Sequence, residues 1–156
     1  MSPVQFQVAP LKQSESESES EHYRSVSQIS LSHSLIVIMF DFQKLDVYQK
    51  AKSFCIEISG LQKSSVFDRT TNDQLRRASF SIMLNIAEDS SRFSNRDRKN
   101  FMVIARGSAF ECVAILEYLA ETKEINQEEC NHFAMKLDEI SRMLFALIKK
   151  LEELQK

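Results

Sequence analysis

Glycine, proline and tryptophan are scarce in this chain. Its 156 residues include two Gly, two Pro and no Trp. So few turn-forming residues leave little material for hairpins, which argues against a β-sandwich, a β-barrel or any other β-rich fold. Gly60 and Gly107 are far apart in the sequence, so a glycine-rich phosphate-binding loop is excluded. The length fits one domain with an attached tail.

Motifs for catalysis or metal binding are also missing from the sequence. Cys55, Cys112 and Cys130 lack the spacing of metal ligands and fall on apolar helical stripes, which predicts reduced, buried thiols. His132 has no paired ligand nearby in the sequence and is expected to be solvated. Ser108 lacks the strand and the G-x-S-x-G turn of a nucleophile. We therefore expect a protein without enzymatic activity, metal or cofactor.

The first 39 residues differ in composition from the rest. Of the chain's 20 basic and 22 acidic residues they hold two and four, so the whole net charge of −2 lies in this segment. Its Ser-Glu tract, Ser14 to Glu21, has no apolar face and predicts a disordered leader over residues 1–39. The alternative is a functional role, in which the tract is an acidic tail whose serines are phosphorylated. Met39 stands directly before the first patterned segment, so we expect native translation to start there.

The one notable apolar run, Leu35 to Phe40, is too short to span a membrane. It has six residues, whereas a bilayer needs about 20. The acidic, serine-rich residues before it are unlike the basic start of a signal peptide. We expect a cytoplasmic protein with no membrane contact.

Residues 40–156 have a helical period throughout. Apolar residues recur at every third or fourth position and predict helices over Gln43–Lys63 and Asp73–Ser90, followed by two more. The predicted N-caps are Asn72, Ser94 and Asn126, the last two with an acidic residue three positions on. Because short polar links make neighbouring helices antiparallel, we predict an all-α, antiparallel up-down four-helix bundle.

The apolar stripes of the last two helices predict their core residues. In the third helix these are Phe101, Ala105, Ser108, Cys112, Ile115 and Leu119. In the fourth they are Cys130, Phe133, Leu137, Ile140, Leu144, Leu147, Leu151 and Leu154.

Helix two carries a second apolar stripe, roughly opposite its core stripe, and helix three repeats this pattern more weakly. A helix of a small monomeric bundle normally has one apolar stripe, and exposed apolar patches usually mark interfaces. We therefore predict a homo-oligomer. The alternative is that the leader or an elongated first helix covers these residues. The predicted oligomer interface comprises Phe80, Met83, Leu84, Ala87, Val103, Gly107, Phe110 and Ala114.

Basic residues cluster at the predicted turn between helices two and three. A symmetric ring would repeat this cluster and concentrate positive potential, which can engage phosphates without reading sequence. The alternative is ion pairing, for example of Arg77 with Asp73 or of Arg106 with an acid of a neighbouring subunit. A pI near 6.0 is also low for a nucleic-acid-binding protein. The cluster comprises Arg92, Arg96, Arg98 and Lys99. The other candidate contacts to RNA or DNA are Arg76, Arg77 and Arg106.

The narrow polar strip of helix two predicts a structural contact. Asn85 and Glu88 are expected to bond Arg106 or Ser108 of helix three and so fix the register or the subunit contact.

Three spaced motifs resemble a known family. The run Gln74-Leu75-Arg76-Arg77-Ala78-Ser79-Phe80-Ser81-Ile82, followed by Asn85-Ile86-Ala87-Glu88, resembles the QLRRA-x-x-SI-x-x-NIAEG signature of the bacterial four-helix-bundle proteins, also called 23S rRNA intervening-sequence proteins. Further matches are Phe42-x-x-Leu45-x-Val47-x-x-Lys50-Ala51 and Ile104-Ala105-Arg106-Gly107-Ser108-x-x-Glu111. The resemblance covers about residues 41–152. Asp89 departs from it where the family usually has Gly, and Tyr48 replaces a common Trp.

The resemblance implies a small cytosolic α-helical protein that assembles as a ring-like homopentamer and has no known enzymatic activity. Some members lie inside insertions of ribosomal RNA genes. A related branch is similar to the accessory protein of diversity-generating retroelements, which binds a reverse transcriptase and nucleic acid. The expected function is thus an oligomeric protein that binds or scaffolds RNA or DNA. The alternative is an adaptor for a protein partner, such as a reverse transcriptase, without direct nucleic-acid contact.

Overall fold

A computed structural model of the chain describes residues 39–154, which contain four α-helices and no β-strand. The helices are α1 (Asp46–Ser64), α2 (Arg69–Asp89), α3 (Asn95–Glu121) and α4 (Gln127–Glu153), and a 3₁₀ turn (Asp41–Lys44) precedes them. The prediction of an all-α fold is confirmed. The prediction of a disordered leader lies outside the described residues, except at Met39.

The starts of α3 and α4 agree with the sequence prediction. The Ser94 hydroxyl accepts a hydrogen bond from the backbone N–H of Asp97 at 3.1 Å. At α4, the Asn126 side chain accepts from the Glu129 N–H at 2.8 Å, and the Glu129 carboxylate accepts from the Asn126 N–H at 3.0 Å. These bonds satisfy backbone donors that the first turn of a helix leaves without a partner.

The predicted starts of the first two helices are wrong. The N-cap of α2 is Asp68, and Asn72 lies inside the helix. The Asp68 carboxylate accepts hydrogen bonds from the N–H groups of Thr70 at 2.8 Å and Thr71 at 3.1 Å. This cap outweighs the low helix propensity of the two threonines. α1 begins at Asp46, after the 3₁₀ turn, and not at Gln43.

The four helices enclose one apolar core. α1 packs on α2 and α4, and α3 packs on the same two helices. Phe54 of α1 meets Phe133 of α4 edge to face, with ring centroids 6.0 Å apart. The most deeply buried large side chains are Phe54, Ile58, Leu75, Ile82, Ile86, Met102, Leu116, Leu119, Leu137, Ile140 and Leu144.

The core of α3 and α4 differs from the sequence prediction at four positions. In α3, Met102 and Leu116 are fully buried, whereas Phe101 and Ile115 are only partly buried. Because each pair of neighbours is apolar, the sequence pattern admits two stripes that differ by one position, and packing selects one. For the same reason Ile148 is buried in place of Leu147, which packs at the edge of the core. Leu154 caps the end of α4 and is exposed.

None of the helices in residues 39–154 has a stretch that is both long and apolar enough to cross a bilayer.

Candidate oligomer and nucleic-acid interfaces

The apolar stripe predicted on α2 lies on the surface of the chain. Phe80 and Leu84 are exposed, and Met83 and Ala87 are half-buried. Met83 also packs against the core, so it belongs to the edge of this stripe. The stripe therefore leaves two large apolar side chains in solvent.

The weaker stripe on α3 lies on the surface as well. Val103, Gly107, Phe110 and Ala114 are all exposed. A Cβ built on Gly107 would have no atom within 4 Å, so the surface above this glycine is open. Ile104 is exposed too, although the sequence analysis did not select it. The sequence signal that could have identified Ile104 is the apolar pair that it forms with Val103.

A polar strip lies between α2 and α3. The Ser81 and Ser108 hydroxyls lie 2.7 Å apart. The Asn85 amide donates to the Ser81 hydroxyl at 3.1 Å and to the Ser81 carbonyl at 2.7 Å. Asn85 thus reaches Ser108 through Ser81, and not directly as predicted. The serine pair joins the middles of α2 and α3. Phe80 and Met83 instead face α1, where they line a groove with Ile56 and Gly60.

We refer to the exposed apolar side chains of the two helices together as the α2–α3 face. Its five large apolar side chains are each between 44% and 57% exposed. They are Phe80, Leu84, Val103, Ile104 and Phe110.

Glu88 has a different partner from those expected. Glu88 pairs with Arg92, one turn further along the chain, and not with α3. Glu111 is exposed and borders a cleft of about 300 Å³ between α2 and α3, together with Gln74 and Tyr118.

The basic cluster at the α2–α3 turn is largely neutralised within the chain. Arg92 pairs with Glu88 and lies over the Phe101 ring, 4.7 Å from its centroid. Lys99 lies 3.7 Å from a carboxylate oxygen of Glu152. Arg98 is held by Asp89. Across residues 39–154, no carboxylate lies within 4.0 Å of the Arg96 guanidinium.

Asp89 is the most deeply buried charged residue in the part of the chain that the structure describes, with 1% of its surface exposed. Its two carboxylate oxygens accept hydrogen bonds from Arg98 Nε at 3.1 Å and Arg98 Nη2 at 3.2 Å. The pair ties the last turn of α2 to the first turn of α3. At this position the sequence departs from the family signature, and the aspartate supplies an anchor that glycine could not.

The remaining candidate cations are also placed differently from the sequence prediction. Asp73 pairs with Arg76 at 2.9 Å, not with Arg77, which is exposed. Within residues 39–154, Arg77 has no carboxylate within 4.0 Å.

Arg106 is held by an aromatic pair on the α3–α4 side. Its guanidinium lies 4.9 Å from the ring centroid of Phe110 and 5.1 Å from that of Phe145. Its Nε donates to the Ser141 hydroxyl at 3.2 Å. Phe145 is a surface residue that the sequence analysis missed, because its neighbours in space come from another helix. Arg106 is thus bound within its own chain.

The cysteines lie in the core, as predicted, and all three are free thiols. Burial raises the pKa of the Cys55 thiol to about 11 and also raises that of Cys112. The Cys55 thiol donates to the Ser79 carbonyl at 3.0 Å. Thiols that stay protonated at neutral pH are poor nucleophiles and poor metal ligands.

A charged cluster joins α1 to α4. The Glu57 carboxylate lies 3.0 Å from His132 Nε2 and accepts from Lys136 Nζ at 2.7 Å and from the Ser53 hydroxyl at 3.1 Å. Burial disfavours the ionised form of Glu57, but these hydrogen bonds outweigh it, so the pKa of Glu57 lies below its ordinary value. His132 is exposed, as predicted, and its partner Glu57 comes from another helix. In the described part of the chain, no three His, Cys, Asp or Glu side chains are grouped to hold a metal.

Comparisons with known proteins give a family match and a similar crystal structure. The sequence model of the 23S rRNA-intervening sequence protein family matches residues 43–146. The similar structure is a protein of unknown function from the S23 ribosomal protein family of Bacteroides thetaiotaomicron, with 30% sequence identity and a TM-score of 0.62. The alignment covers 66% of this chain and 98% of that one. A search of curated proteins gives no match. The chain belongs to the 23S rRNA-intervening sequence protein family.

Proposed function

We propose that the chain is a non-enzymatic subunit of a cytoplasmic homo-oligomer, and that the assembled protein binds RNA or DNA. The observation that carries the proposal is the α2–α3 face. Fully burying a Phe, Leu, Ile or Val side chain stabilises a structure by about 1.5–3 kcal/mol, so each half-exposed side chain of this face offers about 1 kcal/mol to a contact. Exposed apolar surface of this kind usually marks an interface.

The assembly we propose is a ring of five antiparallel up-down bundles, as the family resemblance implies. The links between the helices are short: α2 ends at Asp89 and α3 begins at Asn95, and α3 ends at Glu121 before α4 begins at Gln127. Links of this length favour antiparallel neighbours. A closed ring uses two different patches of each subunit, and the α2–α3 face supplies one of them.

Nucleic-acid binding is proposed for the assembly, because four of the seven candidate cations pair with carboxylates of their own chain. Arg77 and Arg96 have no carboxylate partner in the described chain, whereas Arg92 and Arg98 are paired. A ring repeats each free cation in every subunit, and multivalency strengthens weak individual contacts. The family description names 23S rRNA. Ribosomal RNA is therefore the first ligand to test.

The test is filter binding of 23S rRNA fragments and duplex DNA over a series of salt concentrations. Log affinity falls with log salt by about 0.9 for each phosphate contact on duplex DNA, and by less on single strands. We expect salt-sensitive binding by the wild-type protein and a smaller slope for Arg96→Ala. A Phe80→Asp/Leu84→Asp variant, which cannot assemble, should bind more weakly. If the wild-type protein shows no salt-sensitive association at low ionic strength, the nucleic-acid proposal fails.

A second candidate function is an adaptor for a protein partner, such as a reverse transcriptase, without direct nucleic-acid contact. The pairing of Arg76, Arg92, Arg98 and Lys99 within the chain favours it, because paired cations attract phosphates weakly. Purification from the native source separates the two functions. Material that nuclease removes supports nucleic-acid binding, and a stoichiometric protein supports the adaptor.

A further inference from the structure

Phe93 is the most exposed large apolar side chain in residues 39–154. It lies on the turn between α2 and α3, and its relative exposure of 105% means that nothing in this described range covers the ring. Other surface phenylalanines, such as Phe80 and Phe110, are only about half exposed. Phe93 therefore contributes no packing to its own chain.

The turn that carries Phe93 is fixed on both sides. Before it, the Arg92 N–H donates to the Asp89 carbonyl at 3.0 Å. After it, the Ser94 hydroxyl caps α3, and Arg98 binds the buried Asp89 carboxylate. The turn is thus already ordered before the ring binds a partner, which lowers the entropic cost of a contact.

The chemistry around the ring suits a nucleotide. Arg96, the second residue of α3, has no carboxylate partner within residues 39–154, and the flanking residues Ser91 and Asn95 are small and polar. The turn between α3 and α4 and the helix ends beside it are, by contrast, acidic: they carry Glu121, Glu124, Glu128 and Glu129 against the single base Lys123. A lone aromatic ring beside a free cation fits a base and its phosphate better than it fits an apolar protein groove, which would require further apolar neighbours.

We propose that Phe93 stacks on an unpaired base of RNA or DNA while Arg96 contacts a neighbouring phosphate. This inference rests on the proposed nucleic-acid function and specifies its ligand as single-stranded. Inside an intact duplex each base is stacked between its neighbours, so Phe93 cannot reach the face of a base. The ring should therefore matter for single strands and loops and not for duplex.

The test compares Phe93→Ala and Phe93→Trp with the control Val66→Ala. Val66 is 99% exposed on the link between α1 and α2, so its removal controls for the loss of an exposed apolar group. We expect Phe93→Ala to weaken binding of an unstructured single-stranded oligonucleotide about tenfold, as loss of one stacked base does. Binding of a duplex of the same length should not change. Val66→Ala should bind both ligands as the wild type does.

The absence of tryptophan from the chain permits a direct readout. Phe93→Trp introduces the only indole, whose fluorescence should be quenched by the single strand and not by duplex; Val66→Trp should show no quenching with either. If Phe93→Ala binds single strands normally and the Phe93→Trp fluorescence does not respond, stacking is refuted while the proposed function stands. If the wild-type protein binds neither ligand, both proposals fail. A Phe93→Trp fluorescence response to anionic vesicles alone would overturn the inference in favour of a lipid surface.

Discussion

Replacement of Arg98 by methionine is expected to destabilise the chain more than replacement of its partner Asp89 by asparagine. The two residues form one bidentate ion pair, but their surroundings differ. Asp89 is 1% exposed, whereas the Arg98 side chain is 38% exposed. Arg98→Met leaves a buried carboxylate without its partner. Asp89→Asn leaves a guanidinium that water can still reach.

The burial of the two partners sets the magnitudes. Removing one member of a buried pair costs about 3–5 kcal/mol, because the other charge stays buried and uncompensated. Arg98→Met should lie near the lower value, about 3 kcal/mol, since the Arg98 side chain is 38% exposed and water can approach the carboxylate from that side. Asp89→Asn should cost about 1 kcal/mol, because the amide oxygen still accepts one hydrogen bond from Arg98.

Urea unfolding, followed by helical circular dichroism at one fixed protein concentration, measures these differences. The double variant Asp89→Asn/Arg98→Met has no buried charge, so it should be more stable than Arg98→Met alone. The reasoning is refuted if the two single variants lose equal stability, or if the double variant is the least stable of the three.

Three further predictions concern other parts of the chain. Since the pKa of Glu57 is lowered, its stabilising contribution is present above the unfolded-state pKa and is lost as pH falls through the lowered value. Glu57→Gln should therefore reduce stability at pH 7 by about 1 kcal/mol, and urea unfolding at pH 3 should show a smaller difference. Gly107→Ala should raise helix stability by about 0.5–1 kcal/mol, since the added Cβ meets no atom within 4 Å. The same substitution should weaken assembly if the backbone of another subunit approaches this glycine. Gly60→Ala, with the same open surroundings, is the control whose native mass should not change. Finally, Cys55 should react with iodoacetamide far more slowly in the folded protein than in urea, and fast labelling in the native state would contradict its burial.

Sequence reasoning predicted the local features of the fold well where a signal was itself local. The serine cap of α3 and the capping box of α4 each involve residues three positions apart, and both were confirmed. The start of α2 was missed because Asp68 precedes two threonines, whose poor helix propensity concealed the cap. The choice between Met102 and Phe101 depended on packing against other helices, which periodicity does not contain.

The candidate site was only partly predictable, for the same reason. Apolar residues off the core stripe had to be exposed, and Phe80 and Leu84 are. Charge clustering, however, did not reveal that Arg98 is bound to a carboxylate nine residues away across a turn. Nor did it place Arg106 against Phe145 of α4. Pairings that join separate helices depend on the folded arrangement, and they determine which cations remain free.

The central claim of this account is that the α2–α3 face holds subunits together. Light scattering coupled to size exclusion measures this directly, for the wild-type protein and for Phe80→Asp/Leu84→Asp. The matched control is Val66→Asp, a charge placed at an exposed position away from the face. We predict a wild-type mass near five times the 18.0 kDa of one chain, retained by the control and lost in the double variant. A wild-type mass of 18.0 kDa, or a double variant that keeps the wild-type mass, would contradict the claim.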